Sequence, residues 1–192
     1  AIITTEVTAF VPVETSDKIE LTRVKITNTG SADITFTPTA ATPIYGRSAD
    51  NIRDHRNVTS MLNRMTVTEY GITNDPTLTF DERGHRKNKV IYGFFAAEAD
   101  GAKPVSFCPV AEDFIGEGGA FDNPRFPVTG TPASKPGDRA DGFEAMGAAM
   151  FAKKTLAPGE SAEYIFALAI NDMLKPSDNE NDIEAETKTI HS

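Results

Sequence analysis

Residues 18–36, KIELTRVKITNTGSADITF, carry the reading that decides the fold class. Ile19, Leu21, Val24 and Ile26 alternate with polar residues at a period near two, with one slip in phase at Thr22 and Arg23. Period-two apolar spacing among β-branched residues is a strand signal. The run stops at Asn28-Thr29-Gly30-Ser31 and resumes at Ile34-Thr35-Phe36. A strand, a glycine turn and a second strand predict an antiparallel hairpin. In the second strand Ile34, Phe36 and Pro38 share one face, and Thr35, Thr37 and Thr39 the other.

The same pattern recurs outward. Residues 4–13, 65–69, 89–95, 105–109, 145–154 and 162–170 read as further strands. LAPGES at 156–161 separates the last two, and its Pro-Gly pair predicts a tight turn between paired strands. Helix is confined to short pieces: a turn at 48–56 capped by Ser48, and a polar run at 177–190 without an apolar stripe. Residues 111–142, with GEGG and four prolines, read as an excursion over the surface. Long irregular segments in compact domains often carry function. The expected organisation is a β-sandwich over 1–176, including that excursion, followed by a polar tail or linker start at 177–192.

The chain has 192 residues and a formal net charge of −9. A chain this long buries roughly 70% of its unfolded surface and needs no covalent staples. Its acidity argues against nucleic acid and anionic membranes as partners. No apolar run reaches membrane-spanning length. The single cysteine, Cys108, cannot form an intrachain disulfide, which points to a reducing, cytoplasmic setting. The chain begins within a strand-like run, with no initiator Met and no signal peptide, and reads as processed or, in preference, as a piece cut from something larger.

Catalytic and metal-binding signatures are sparse. His55, His85 and His191 stand at no metal-ligand spacing with one another or with Cys108, so no metal or other cofactor is expected. GEGG at 116–119 lacks the Gly-Lys-Ser/Thr ending of a phosphate loop and reads as a glycine turn. Adjacent Glu112 and Asp113, on a segment read as extended, would point to opposite faces, so no catalytic pair is assigned. SDNENDIE at 177–184 places Ile183 where a calcium loop needs glycine. Trp is absent and aromatics total 8%, which disfavours a dedicated surface carbohydrate-binding module.

Two charged clusters stand out. RSADNIRDHR at 47–56 holds Arg47, Asp50, Arg53, Asp54, His55 and Arg56. It reads either as a salt-bridged surface loop or as part of a site. Exposed ion pairs contribute roughly 0–1 kcal/mol each, so stability alone does not call for so many. DERGHRKNK at 81–89 holds Arg83, His85, Arg86, Lys87 and Lys89. It reads as a hairpin loop around Gly84 or as a basic lip for an anionic ligand.

Taken in order, several stretches resemble a known family: VPVETSDKIELTRVKITNTGSADITFTPTAATPIYGRSADNIRDHRNVTSML, TLTFDERGHRKNKVIYGFF, DFIGEGGAFDNPRFPV and LAPGESAEYIFALAI. They are similar to the N-terminal β-sandwich of glycoside hydrolase family 94, the inverting phosphorylases of β-linked glucans. Within it, the nearest likeness is to 1,2-β-oligoglucan phosphorylases, with a related module in cyclic β-1,2-glucan synthases. The resemblance spans most of residues 8–170, and RSADNIRDHR and GEGGAFDNP are its more specific points. It implies an all-β, antiparallel two-sheet sandwich of galactose mutarotase-like supersandwich type, here incomplete as a fragment. In the family a helical linker and a helical barrel with the catalytic acid and phosphate site follow, and no segment here resembles that barrel. The implied role is therefore non-catalytic. The implied partners are the barrel domain, a homodimer mate and a β-glucan oligosaccharide. Arg47, Arg53, His55 and Arg56 would stand at an interface or substrate entrance, with Arg83, His85 and Arg86 as a secondary basic loop. The competing class is a free-standing immunoglobulin-like binding or adhesion module, which the sequence downstream of Ser192 would distinguish.

Overall fold

The structure, a computed structural model, describes residues 2–13, 18–46, 56–81 and 84–171. In chain order its elements are β1 (Ile3–Phe10), β2 (Lys18–Asn28), β3 (Ile34–Phe36), β4 (Thr39–Pro43), α1 (Arg56–Ser60), β5 (Arg64–Val67) and β6 (Gly71–Asn74). Then come β7 (Leu78–Asp81), β8 (Gly84–Lys87), β9 (Ile91–Glu98), β10 (Ser106–Val110), α2 (Ala111–Ile115) and α3 (Arg125–Thr129). The last are β11 (Arg139–Asp141), β12 (Ala145–Met150), β13 (Lys154–Leu156) and β14 (Ser161–Asn171). The chain is all-β with short helices, as the period-two pattern predicts. Among the described residues no helix is long and apolar enough to cross a membrane.

One sheet has seven strands in the order β1-β2-β14-β9-β6-β5-β11, and a second has three, β10-β12-β4. Every pairing is antiparallel. The main core lies between the two sheets. Met65, Val67, Ile72, Phe94, Ala162 and Tyr164 of the large sheet meet Ala40, Phe107, Ala145 and Ala149 of the small one. β12 is buried along its whole length because it has a core on each face. Ala145 and Ala149 point into the main core, while Met146, Ala148 and Met150 point the other way. There they meet Phe114 and Phe126 from α2 and α3. Residues 111–142 therefore do more than cross the surface. Their two short helices bury Phe114 and Phe126 and cover the back of the small sheet.

The expected hairpin around Asn28-Thr29-Gly30 is not formed. β2 pairs with β1 and β14, and β3 pairs with β13. The reason is the Asn28 carboxamide. Its Nδ2 donates to the carbonyls of Ala32 and Leu156, each at 2.9 Å, and its Oδ1 accepts from Gly30 N at 2.9 Å. These bonds turn the chain out of the large sheet instead of folding it back. The turn at 156–161 likewise does not join paired strands, since β13 and β14 belong to different ladders. Gly159, at φ +85°, completes that turn, and Glu160 N donates to Ala157 O. It is zipped to Asn28 by Asn28 N donating to Glu160 O and Gly159 N donating to Asn28 O, at 2.9 and 2.8 Å.

The run expected as one strand at 145–154 is two, β12 and β13, pairing with β4 and β3 in turn. The break falls opposite Pro38, whose carbonyl accepts from Phe151 N at 2.9 Å. Proline has no N–H to give a ladder, so the two pairings meet at a kink. Of the cluster at 81–89, Asp81 ends β7 and Gly84–Lys87 form β8, the two strands pairing with Asp81 facing Gly84.

In β2 the phase slip involves no bulge, for the pairing with β1 and β14 is continuous. Val24 and Ile26 face the small sheet, beside Tyr164 and Ala162. Ile19 and Leu21 face the opposite side. There Phe10, Leu21, Ala167 and Phe95 form one row across four strands. Phe10 is 45% exposed.

Candidate functional site

A cleft of about 210 Å³ opens at the end of the sandwich where β4 leaves the small sheet. Ile44, Tyr45 and Gly46 form one wall, Thr59, Ser60 and Asn63 another, and Phe121, Glu144 and Ala145 the third. Each wall has a local cause. Ile44 N donates to Ala145 O at 3.0 Å, which continues the β4–β12 ladder one step and holds the two walls together. Gly46 follows because a Cβ there would lie 2.5 Å from Asn74 Nδ2 and 2.6 Å from Pro76 Cγ.

The floor is a pair of buried amides. Asn74 Nδ2 donates to Asn63 Oδ1 at 2.9 Å, and Asn63 Nδ2 donates to Phe143 O at 2.9 Å. Asn74 Oδ1 accepts from Arg64 N at 3.2 Å. Buried amides held on both sides fix the orientation of the surface above them.

Phe121 comes from the GEGGAFDNP stretch. Gly116, at φ +82°, ends α2 and donates to Glu112 O at 2.8 Å. Gly119 has no room for a Cβ, which would lie 2.3 Å from Ile115 O. The next turn, with Asn123 N donating to Ala120 O at 3.1 Å, carries Phe121 at its corner. The Phe121 ring leans on Phe114 at 6.4 Å between centroids, and Phe114 on Phe126 at 6.3 Å. An aromatic ring 52% exposed is thus anchored to the second core. The glycines of this stretch shape a turn.

Among the described residues that line the cleft, Glu144 is the one carboxylate, beside the Asn63 carboxamide and the hydroxyls of Tyr45, Thr59 and Ser60. Glu112 and Asp113, expected on an extended segment, stand exposed in the first turn of α2. Among the described residues no group of three His, Cys, Asp or Glu is placed to hold a metal ion. Cys108 is buried and donates to Val110 O; burial pushes its thiol up to about 12, so it is no nucleophile.

Of the charged positions singled out in the sequence, Arg47, Arg53, His55 and Arg83 lie outside the described residues, as do Ser48 and the run 177–192. Arg56 opens α1, and His85 and Arg86 lie in β8 opposite Phe80 and Thr79, but their side chains lie outside the description. Gly46 and, in α1, Thr59 and Ser60 line the cleft, and positions 47–55 lie between them in the sequence. Tyr45, Asn63, Phe121 and Glu144 escape a reading that looks for charge. Phe121 did leave a signal: a large aromatic among Gly, Asp, Asn and Pro has no core to fill.

A two-sheet antiparallel sandwich with a cleft at one end defines an all-β sandwich domain. The comparison with known families gives it a place. Residues 2–191 match the family model described as the supersandwich domain of glycosyl hydrolase 94, and the chain belongs to that family. It is thereby the non-catalytic sandwich of a family 94 enzyme. No curated protein matches it.

Proposed function

We propose that the chain is the N-terminal sandwich of an inverting β-glucan phosphorylase, of the kind that acts on β-1,2-linked oligoglucans. It braces the helical catalytic barrel and contributes contacts at an interface or substrate entrance. Arg47, Arg53, His55 and Arg56 carry those contacts, with Arg83, His85 and Arg86 as a secondary basic loop. The observation that supports this reading is the row Phe10–Leu21–Ala167–Phe95 on the side of the large sheet away from the sandwich core. Ile165, 38% exposed, adjoins it on the same face. Phe10 and Ile165 are exposed on this face, Leu21 and Ala167 half-buried and Phe95 buried; an apolar sheet face with exposed side chains suits docking of another domain, and the family supplies that domain as the barrel. The family match weighs against a free-standing adhesion module.

The test is phosphorolysis. Pure chain mixed with phosphate and β-1,2-glucan should release no glucose 1-phosphate, whereas the full-length parent should. Turnover by the chain alone, or a parent inactive on every β-glucan with phosphate, would overturn the reading.

A further inference from the structure

The large sheet ends at β1, whose one strand neighbour among the described residues is β2. All eight of its residues are exposed. Thr29 N donates to Ile2 O at 3.0 Å, so Ile2 and Thr29 form a hydrogen-bonded pair. In an antiparallel ladder such pairs alternate with non-bonded ones. Thr4, Glu6, Thr8 and Phe10 therefore direct their N–H and C=O groups to β2. Those of Ile3, Thr5, Val7 and Ala9 point away from it, along the open edge.

Natural sheet edges are blunted by Lys, Pro, bulges or short length, because an open edge invites another strand. β1 has none of these devices. It holds no Lys, Arg or Pro, it pairs with β2 over eight residues without a register shift, and its one charge is Glu6. Val7 points to the same side of the sheet as Val24, yet it is 62% exposed. Ile3 and Val11 are exposed on the same edge.

Charge and register select what covers this edge. A second β1, antiparallel about a two-fold axis, sets odd residues against odd ones, since those carry the outward N–H and C=O groups. An axis at Glu6 would oppose the two Glu6 carboxylates, and like charges directly opposite destabilise a strand pair. An axis at Thr5 would leave Phe10 and Val11 beyond the pairing, and one at Thr8 would set Glu6 against Phe10. An axis at Val7 sets Val7 against Val7, Thr5 against Ala9 and Ile3 against Val11, so the exposed apolar side chains of the edge cover one another. On the other face it sets Glu6 against Thr8. Lys25 flanks Glu6 within its own copy, and Arg23 flanks Thr8. Each acid then lies between a lysine of its own copy and the Thr8–Arg23 pair of the other.

We propose that the edge of β1 is a homotypic interface, at which two copies of this domain pair β1 to β1, antiparallel about Val7, and join their seven-stranded sheets into one continuous sheet. The inference does not rest on the phosphorylase reading, which puts the barrel on the face of this sheet and not on its edge. About nine residues a side take part, fewer than the roughly 20–30 of a standard interface, so the dimer of the domain alone is weak.

The experiment is sedimentation of the 192-residue chain from about 10 μM to 1 mM, which should show a monomer–dimer equilibrium. Amide exchange at Thr5 and Val7 should slow as concentration rises, whereas the amides of Glu6 and Thr8 are held by β2 at every concentration. Val7→Pro removes an N–H that points away from β2 and so keeps the ladder within the sheet; dimerisation should fall at least about tenfold. Thr8→Glu opposes two pairs of carboxylates across the axis and should weaken the dimer about two- to thirtyfold. Within its own copy the new carboxylate faces Arg23, so Tm should hold or rise, and lost folding cannot explain the weakening. A chain monomeric at 1 mM, or a dimer that survives both variants, would overturn the proposal. So would a dimer that Ile165→Lys dissolves while Val7→Pro does not, because association would then use the face of the sheet.

Discussion

Replacing Asn28 by Ala removes the carboxamide that turns the chain out of the large sheet. The side chain is fully buried and makes bonds to Ala32 O, Leu156 O and Gly30 N, all at 2.9 Å. Each such bond contributes about 1 kcal/mol net, and a buried carbonyl left without its partner costs about 1–3 kcal/mol. The Leu156 carbonyl is the one in buried surroundings, whereas Ala32 is exposed and its carbonyl can recruit water. Two lost bonds and the orphaned Leu156 carbonyl together give a loss of about 3–5 kcal/mol. The backbone bonds of Asn28 to Gly159 and Glu160 do not depend on the side chain, so the fold should persist with lower stability. In a domain of this size 1 kcal/mol shifts Tm by about 2–4 °C, so the expected drop is about 10 °C. Urea titration should show a lower midpoint at an unchanged slope. Asn28→Asp keeps the acceptor for Gly30 and loses both donors. At neutral pH it should be at least as unstable, because a carboxylate would then face two carbonyl oxygens. Thr29→Ala, at an exposed hydroxyl, is the control and should move stability by less than about 0.5 kcal/mol. A loss below about 1 kcal/mol for Asn28→Ala would refute the view that this side chain governs the crossing.

Two further outcomes follow from the same geometry. The Cys108 thiol should resist a thiol-specific reagent at mildly alkaline pH in the folded chain and react at once in urea, because burial raises it to about 12; rapid labelling of native protein would mean that the α2–α3 cover opens. The second outcome is a pH dependence. Arg23 binds Glu163 through two hydrogen bonds of 2.5 and 2.7 Å, which lower the carboxyl below its ordinary 4.5. The unfolded chain binds more protons in the window between that lowered value and 4.5, so the contribution is whole above 4.5 and lost as pH falls through the folded value. The pair is exposed, so the effect is small, and Arg23→Gln should flatten the slope of Tm against pH in that window alone.

The all-β character was legible in the sequence because alternation is local. The partners of the strands were not. Asn28-Thr29-Gly30-Ser31 fits a hairpin as well as it fits a crossing, and the group that decides is the Leu156 carbonyl, 128 residues away. The same holds for the 156–161 turn, whose Pro-Gly pair specifies a turn type but not which ladders it joins. Short strands such as β6 and β11 gave no periodic signal at all, for three or four residues hold too few alternations. At the cleft, the glycines of GEGG were legible as a turn. That the turn sets Phe121 at the cleft depends on the Phe114–Phe126 stack, which only the tertiary packing assembles.

The phase slip at Thr22 and Arg23 has a similar standing. A change of phase in a strand signals either a bulge or a change in which face is apolar. The continuous pairing of β2 decides for the second. At the Val24–Ile26 end the apolar face meets the small sheet. At the Ile19–Leu21 end the face towards the small sheet carries Lys18, Glu20 and Thr22, and the apolar residues turn outward. Across the neighbouring strands the outward row is kept: Phe10 on β1, Ala167 on β14 and Phe95 on β9. A strand that served one core would have no reason to shift phase. A strand that faces a core at one end and turns its apolar residues to the other face at the opposite end must do so, and β2 is built in that way. The slip that looked like a flaw in the alternation is therefore the sequence trace of the outward apolar row, the surface on which we propose that the sandwich braces its catalytic partner.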